Sequence, residues 1–104
     1  MQLSKDAEKL VCSMYKSYLQ KRKAGTNKMN ARHFEIDEIR SYKLCSDWSI
    51  PDIKATVSEL KKAGLGDMYF SGGFFANEQF IIYMENRFAN GLKEVTDFIA
   101  KFIP

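Results

Sequence analysis

The sequence predicts a mainly helical fold of the α+β class, with several helices and one small β-hairpin. Apolar residues recur every three or four positions over most of the chain, which is the period of helices with one buried face. Residues 67–76 carry Gly72-Gly73 between short apolar runs, which predicts two strands joined by a tight turn. A length of 104 residues and a hydrophobic share of 45% suit a single core, so we assign residues 1–104 to one domain.

The clearest helix signal covers residues 50–63. Ser49 is a favourable N-cap, Asp52 follows three residues later as in a capping box, and Pro51 suits a first turn, where its missing N–H costs nothing. Gly64 stands where helices commonly end. Three apolar residues at spacings of four and three lie on one face: Ile53, Val57 and Leu60. We therefore expect a helix with one buried stripe, followed directly by the hairpin.

The same period predicts helices on both sides of this region. An N-terminal helix over 3–24 has Ser4 as its cap, and a shorter helix before residue 50 makes residues 35–63 a helix-turn-helix. After the hairpin, residues 77–103 form C-terminal helices with Asn77 as the first cap. Long helices thus flank a compact central unit on both sides.

The segment from Thr26 to Phe34 is compatible with two structures. Asn27 can cap one short helical turn, because its side chain can accept a hydrogen bond from a following backbone N–H. Alternatively, Arg32-His33-Phe34 forms a short strand that joins the sheet of the hairpin. Both alternatives stay open from the sequence.

Two stretches resemble a known family. DIKATVSELKKAGLGDMYF is similar to the recognition helix and first wing strand of bacterial winged-helix regulators. ANEQFIIYMENRF resembles the helix that follows the wing in small winged-helix proteins of bacteria and phages, including the YjcQ-like type. The resemblance implies a winged helix-turn-helix with long N-terminal and C-terminal helices, in which residues 67–76 are the wing. It also implies binding to double-stranded DNA, as a transcriptional regulator or an accessory of a mobile element.

The outward face of helix 50–63 is the expected DNA contact. With the apolar stripe facing inward, Lys54, Ser58 and Lys62 are the residues that we expect to reach a major groove, with Lys61 beside them. Lysines can contact phosphates or guanine, and a small serine lets the backbone approach closely. The alternative is an ordinary solvated face, on whose flank Glu59 would repel phosphate.

Four further cations are candidate phosphate contacts. They form a positive rim at the end of the N-terminal helix and beyond it: Lys21, Arg22, Lys23 and Arg32. The triplet fits a second role equally well, because cations in the last turn of a helix complement its dipole. The net charge of +3 permits nucleic-acid binding without requiring it.

The wing argues for a rival function. No Lys or Arg occurs between Ala63 and Asn86, although a wing that enters a minor groove usually brings a cation to this negative surface. Phe74 and Phe75 occupy the wing instead. The rival is therefore a winged-helix protein-interaction module, without DNA binding, that uses these two rings and the apolar C-terminal helix.

The two long helical regions offer more apolar face than a small domain needs for its own core, which predicts a homodimer. Five residues are the expected interface: Leu10, Met14, Phe98, Ile99 and Phe102. The alternative is that both regions pack around the core of a single chain.

Catalysis has little support in this sequence. It contains no nucleophile elbow, phosphate loop or HExxH motif, and His33 is the only histidine. Cys12 and Cys45 lie apart and outside any CxxC motif, so we expect free thiols, no metal site and no cofactor. The charged N-terminus resembles neither a signal peptide nor a membrane span, which predicts a cytoplasmic protein.

Overall fold

A computed structural model describes residues 2–103 of the chain and shows a mainly helical α+β fold with one small antiparallel sheet. Its elements follow in this order: α1 (Lys5–Lys23), α2 (Lys28–Ala31), β1 (His33–Phe34), α3 (Ile36–Ser41), a 3₁₀ turn (Lys43–Cys45), α4 (Ile50–Lys62), β2 (Gly66–Met68), β3 (Phe74–Ala76), α5 (Glu78–Arg87) and α6 (Leu92–Ala100).

Three of the longer helices begin at side chains that cap them. The Ser4 hydroxyl accepts a hydrogen bond from the Ala7 backbone N–H at 3.2 Å, and Ser49 accepts one from Asp52 at 3.2 Å. Asn77 caps α5 in the same way, with the Phe80 N–H at 3.1 Å. Each cap satisfies a backbone donor that has no partner inside the helix, which explains why the helices start where the sequence predicts.

The segment from Thr26 to Phe34 adopts both of the structures that the sequence allowed. Asn27 caps α2, accepting from the Asn30 N–H at 2.8 Å, and β1 follows directly. The strand order is β1-β3-β2, with antiparallel pairing throughout. The register pairs Phe34 with Phe74 and His33 with Phe75. Successive side chains of a strand point to opposite faces, so Phe34 and Phe74 share the inner face.

The core is built around α1, which packs against α2, α4, α5 and α6. Leu10, Val11 and Met14 of this helix have no exposed surface. From the sheet side, Phe34 and Phe74 fill the same core and both lie near the ring of Phe80. The sheet and the helices therefore bury one continuous apolar cluster.

The C-terminal region is divided into two helices. Gly91 separates α5 from α6 and has a φ of +69°, a conformation that side chains other than glycine rarely adopt. The last helix ends at Ala100, three residues before the predicted limit of 103. Phe102 and Ile103 therefore lie outside the helix, and both are partly exposed.

Candidate nucleic-acid interface

The outward face of α4 carries three exposed lysines. Ile53, Val57 and Leu60 are fully buried, so the opposite side of the helix faces solvent, as the period of the sequence predicts. Lys54, Lys61 and Lys62 are exposed there, and none of them forms an ion pair with another residue between positions 2 and 103. Ser58 lies among them and is half-buried. The arrangement gives α4 a solvated positive face.

Glu59 lies away from this positive face, because it is bonded to the start of α1. Its carboxylate accepts hydrogen bonds from the backbone N–H of Ser4 at 2.8 Å and from the Ser4 hydroxyl at 2.7 Å. A carboxylate at a helix N-terminus is stabilised by the helix dipole and by unpaired N–H groups. The repulsion of phosphate that the sequence suggested is therefore reduced, and exposed Asp52 in the first turn is the acidic residue that remains beside the lysines.

The hairpin lies directly against the exposed face of α4. Gly72, in the turn between β2 and β3, has a φ of +100°. A Cβ atom at this position would lie 2.8 Å from the Ile36 side chain and 3.0 Å from two carbons of the Lys54 side chain. The aliphatic stem of Lys54 thus passes over the turn, while the residue as a whole is exposed.

The exposed aromatic side chain of the hairpin is Phe70, which the sequence analysis missed. The Tyr69 N–H donates to the Gly73 carbonyl at 2.8 Å and the Gly72 N–H to the Tyr69 carbonyl at 2.9 Å. These bonds place Phe70 at the first central position of a tight turn, with a relative exposure of 107%. Side chains at a turn tip point away from the sheet, so the turn itself was a signal that could have identified this residue.

Phe74 and Phe75 do not form the exposed aromatic surface that the sequence suggested. Phe74 is fully buried, because its register places it opposite Phe34 on the inner face. Phe75 is half-buried on the outer face, where its ring centroid lies 4.6 Å from that of His33. His33 also stacks on Tyr69 and shares a hydrogen bond with its hydroxyl group through Nδ1. The lone histidine thus contributes to sheet packing.

Two of the four rim cations are engaged inside the fold. Lys21 donates to Glu38 Oε1 at 2.8 Å and to the His33 carbonyl at 2.9 Å, with its ammonium group 4.5 Å from the centre of the Phe34 ring. The guanidinium of Arg32 lies 5.1 Å from the centre of the Phe75 ring. Lys21 is therefore paired within the fold, whereas Arg32 packs on a ring of the sheet and has no ion-pair partner among the described residues.

The other two rim cations, Arg22 and Lys23, are exposed in the last turn of α1. They do not form one patch with the end of α4. Glu59 places that end beside Ser4, whereas the triplet lies at the opposite end of α1, about 25 Å away at a rise of 1.5 Å per residue. The fold therefore places the two basic groups apart.

Glu38 is the centre of a polar network between α1 and α3. Besides Lys21, its carboxylate accepts a hydrogen bond from the Ser17 hydroxyl at 2.6 Å and another from the Tyr42 hydroxyl. Burial, followed by the charge of Glu38, raises the pKa of Tyr42 far above its usual value. The adjacent Asp37 is exposed and forms only a 3.9 Å ion pair with Arg40, so the two neighbouring carboxylates do not share a site.

Most of the expected dimer residues are used within one chain. Leu10 and Met14 are fully buried and Ile99 is 6% exposed, because α1 and α6 pack against each other. These three side chains cannot contact a second copy without opening the core. Of the five expected interface residues, Phe98 is half-buried and Phe102 is exposed, and the two rings contact each other edge to face.

Both cysteines are free thiols in the protein interior. Burial raises the pKa of Cys12 and of Cys45 to about 12, and for Cys45 nearby acidic residues add a smaller effect in the same direction. The thiolate is the reactive form of cysteine, so neither thiol is activated near neutral pH.

Comparison with other proteins identifies no relative. No protein-family model, no curated protein and no solved structure matches the chain. Among residues 2–103, no helix is long and apolar enough to cross a bilayer, and no cluster of three or more His, Cys, Asp and Glu side chains has an arrangement that could hold a metal ion.

Proposed function

We propose that the chain is a winged helix-turn-helix protein that binds double-stranded DNA through the exposed face of α4. Three features support the fold assignment. Helices α3 and α4 are consecutive and separated by a turn, a hairpin follows α4 directly, and β1 completes the sheet in the order β1-β3-β2. In this arrangement α4 is the recognition helix and the hairpin is the wing.

The positive face of α4 is the observation that carries the proposal. Lys54, Lys61 and Lys62 are exposed without an ion-pair partner among the described residues, while Glu59 is held at the start of α1. Lysines that contact phosphates release the counterions condensed on DNA, which favours binding. Three free lysines on one helix therefore suit a duplex. The helix would lie in the major groove with Ser58 close to the bases, and Lys54 and Lys62 would contact phosphate or guanine.

Transcriptional regulation, or an accessory role for a mobile element, is the role that we propose for such a DNA-binding protein. A homodimer would place two α4 helices on two half-sites. It would therefore bind DNA more tightly than a monomer, whose affinity we expect to be modest. The exposed ring of Phe102, together with Phe98, is the surface available for such a contact.

The test is fluorescence anisotropy of a labelled mixed-sequence duplex over a salt series. Binding by the natural protein should weaken steeply with salt. The Lys54→Ala/Lys62→Ala variant should bind more weakly, with a salt slope lower by about 1.8, since each lost phosphate contact removes about 0.9 from the slope.

The matched control is Lys43→Ala/Lys101→Ala, which removes the same charge from the 3₁₀ turn and from the residue after α6, where both lysines are exposed and form no ion pair with a described residue. It should retain most of the affinity. Equal losses in both variants would show that only net charge matters and would contradict a site on α4. If the natural protein fails to bind at low salt, the DNA proposal is wrong. The protein-interaction module would then be favoured, with exposed Phe70 in place of buried Phe74.

A further inference from the structure

The tip of the wing has an unusual composition for a surface that meets nucleic acid. The whole region from Ala63 to Asn86 lacks Lys and Arg, so the tip offers no cation to a phosphate. It offers a phenylalanine instead. Phe70 is fully exposed and Met68 on the preceding strand is 37% exposed. Because the ring of Phe70 is solvated on all sides, it contributes nothing to the core.

Gly72 shows where the turn that carries Phe70 lies relative to α4. The stem of Lys54 lies over Gly72, and Phe70 is two residues away, at most about 8 Å along the chain. The backbone that carries the exposed ring therefore lies close to the stem of Lys54, on the lysine-bearing side of α4. The major groove and the neighbouring minor groove are separated by one sugar-phosphate backbone. If α4 occupies a major groove, the adjacent hairpin therefore reaches the minor groove next to it.

We propose that Phe70 is an apolar wedge that enters this minor groove and partly unstacks a base step. The inference rests on the proposed function and adds a mechanism to it. Proteins that bind the minor groove commonly insert Phe, Leu or Met between base pairs and thereby bend the duplex. The cation-free wing, which argued against DNA binding, is then accounted for, because the lysines of α4 supply the phosphate contacts and the wing supplies the wedge.

The turn is built to present such a wedge. Two backbone hydrogen bonds close it, from Tyr69 to Gly73 and from Gly72 to Tyr69. A Cβ atom at Gly73 would lie 2.7 Å from the Phe34 carbonyl oxygen, so the base of the turn is packed closely against β1. A ring on a closed and supported turn loses little conformational freedom when it is inserted, which lowers the cost of binding.

The test uses a short duplex with 2-aminopurine in place of adenine at its TpA steps, which unstack easily. The fluorescence of this base is quenched by stacking and rises when a neighbouring base pair moves away. The natural protein at saturation should increase the fluorescence. Phe70→Ala should abolish the increase and weaken binding on the order of tenfold, the loss typical of an aromatic side chain that stacks on a base.

Two further variants separate a wedge from a general surface contact. Phe70→Leu retains an apolar wedge and should preserve part of the fluorescence increase. Phe70→Lys supplies a phosphate contact, so it should bind more tightly at low salt and with a steeper salt slope, but without the increase. The melting temperature of all three variants should match that of the natural protein, because the ring is exposed.

The outcomes distinguish this inference from the function on which it rests. If anisotropy shows binding but the natural protein and Phe70→Ala give the same fluorescence, the wedge is refuted and the DNA-binding proposal stands. If the natural protein shows no binding to the duplex at low salt, both are refuted. Binding together with a fluorescence increase that depends on Phe70 supports both the wedge and the DNA-binding proposal.

Discussion

The lysines of α4 and the lysine at position 21 are the same residue type in opposite environments. Lys54, Lys61 and Lys62 extend into solvent without an ion-pair partner among residues 2–103. Lys21 is enclosed by Glu38, the His33 carbonyl and the Phe34 ring. The first group is free to meet a ligand, whereas Lys21 joins α1 to β1 and α3. A cluster of cations in a sequence is therefore a binding surface only where the fold leaves it without internal partners.

The largest expected effect is a pH dependence of the free energy of unfolding, caused by the two buried thiols. The folded protein holds the pKa of Cys12 and Cys45 at about 12, above the ordinary 9.0, so only the unfolded chain loses these protons between those values. The thiols should leave stability unaffected well below pH 9, and stability should decrease as the pH rises through 9 toward 12. Between pH 8 and pH 10 we expect a loss of about 2–3 kcal/mol for the pair, measured by urea unfolding.

The Cys12→Ala/Cys45→Ala variant is the control for this pH dependence. It should unfold with a distinctly smaller change between the two pH values, whatever its absolute stability. An unchanged dependence on pH would mean that other groups cause the loss and that the thiols are accessible in the folded state.

The next largest effect compares the contributions of two adjacent carboxylates, Glu38 in the polar network and Asp37 outside it, to the free energy of unfolding. Glu38→Ala removes the partner of Lys21, Ser17 and Tyr42, and it should lower the free energy of unfolding by about 2 kcal/mol, because three donors lose their acceptor. Asp37→Ala should change it by less than about 0.5 kcal/mol, since that side chain is exposed. Equal changes in urea unfolding would contradict the network.

The smallest effect compares an enclosed lysine, Lys21, with an exposed one, Lys23, on the same helix. Lys21→Met should cost about 1 kcal/mol of stability, since it removes two hydrogen bonds of a half-buried ammonium group, and it should leave duplex affinity nearly unchanged. Lys23→Met, two positions later and exposed, should leave stability within about 0.5 kcal/mol of the natural value. Urea unfolding and anisotropy on the same two variants provide both measurements. A stability loss for Lys23→Met that equals the loss for Lys21→Met would remove the distinction.

Local features of the chain could be predicted well from the sequence. Ser4, Ser49 and Asn77 cap the helices for which they were named, and Gly64 follows α4 with a φ of +83°. These features depend on residues three or four positions apart, whose geometry within a helix is known in advance. The buried stripe of α4 was predictable for the same reason.

The composition of the candidate site was less predictable. Glu59 was expected beside the lysines as a repulsive charge, and it bonds to Ser4 instead, 55 residues earlier in the chain. Phe74 was expected on the surface, and cross-strand pairing with Phe34 buries it. The exposed ring belongs to Phe70, which a close examination of the turn could have identified. Leu10 and Met14 were expected at a dimer interface, and α6 of the same chain covers their helix.

The sequence by itself therefore determined the fold class, the positions of the main helices and hairpin, and the lysine-bearing face of α4. These follow from hydrophobic period, caps and turn glycines, which act over a few residues. Only the tertiary structure decided which cations and rings are free, because that depends on contacts between residues distant in the chain. Lys21 and Lys54 are indistinguishable as side chains, and what differs is the carboxylate, carbonyl and ring that the fold brings to Lys21.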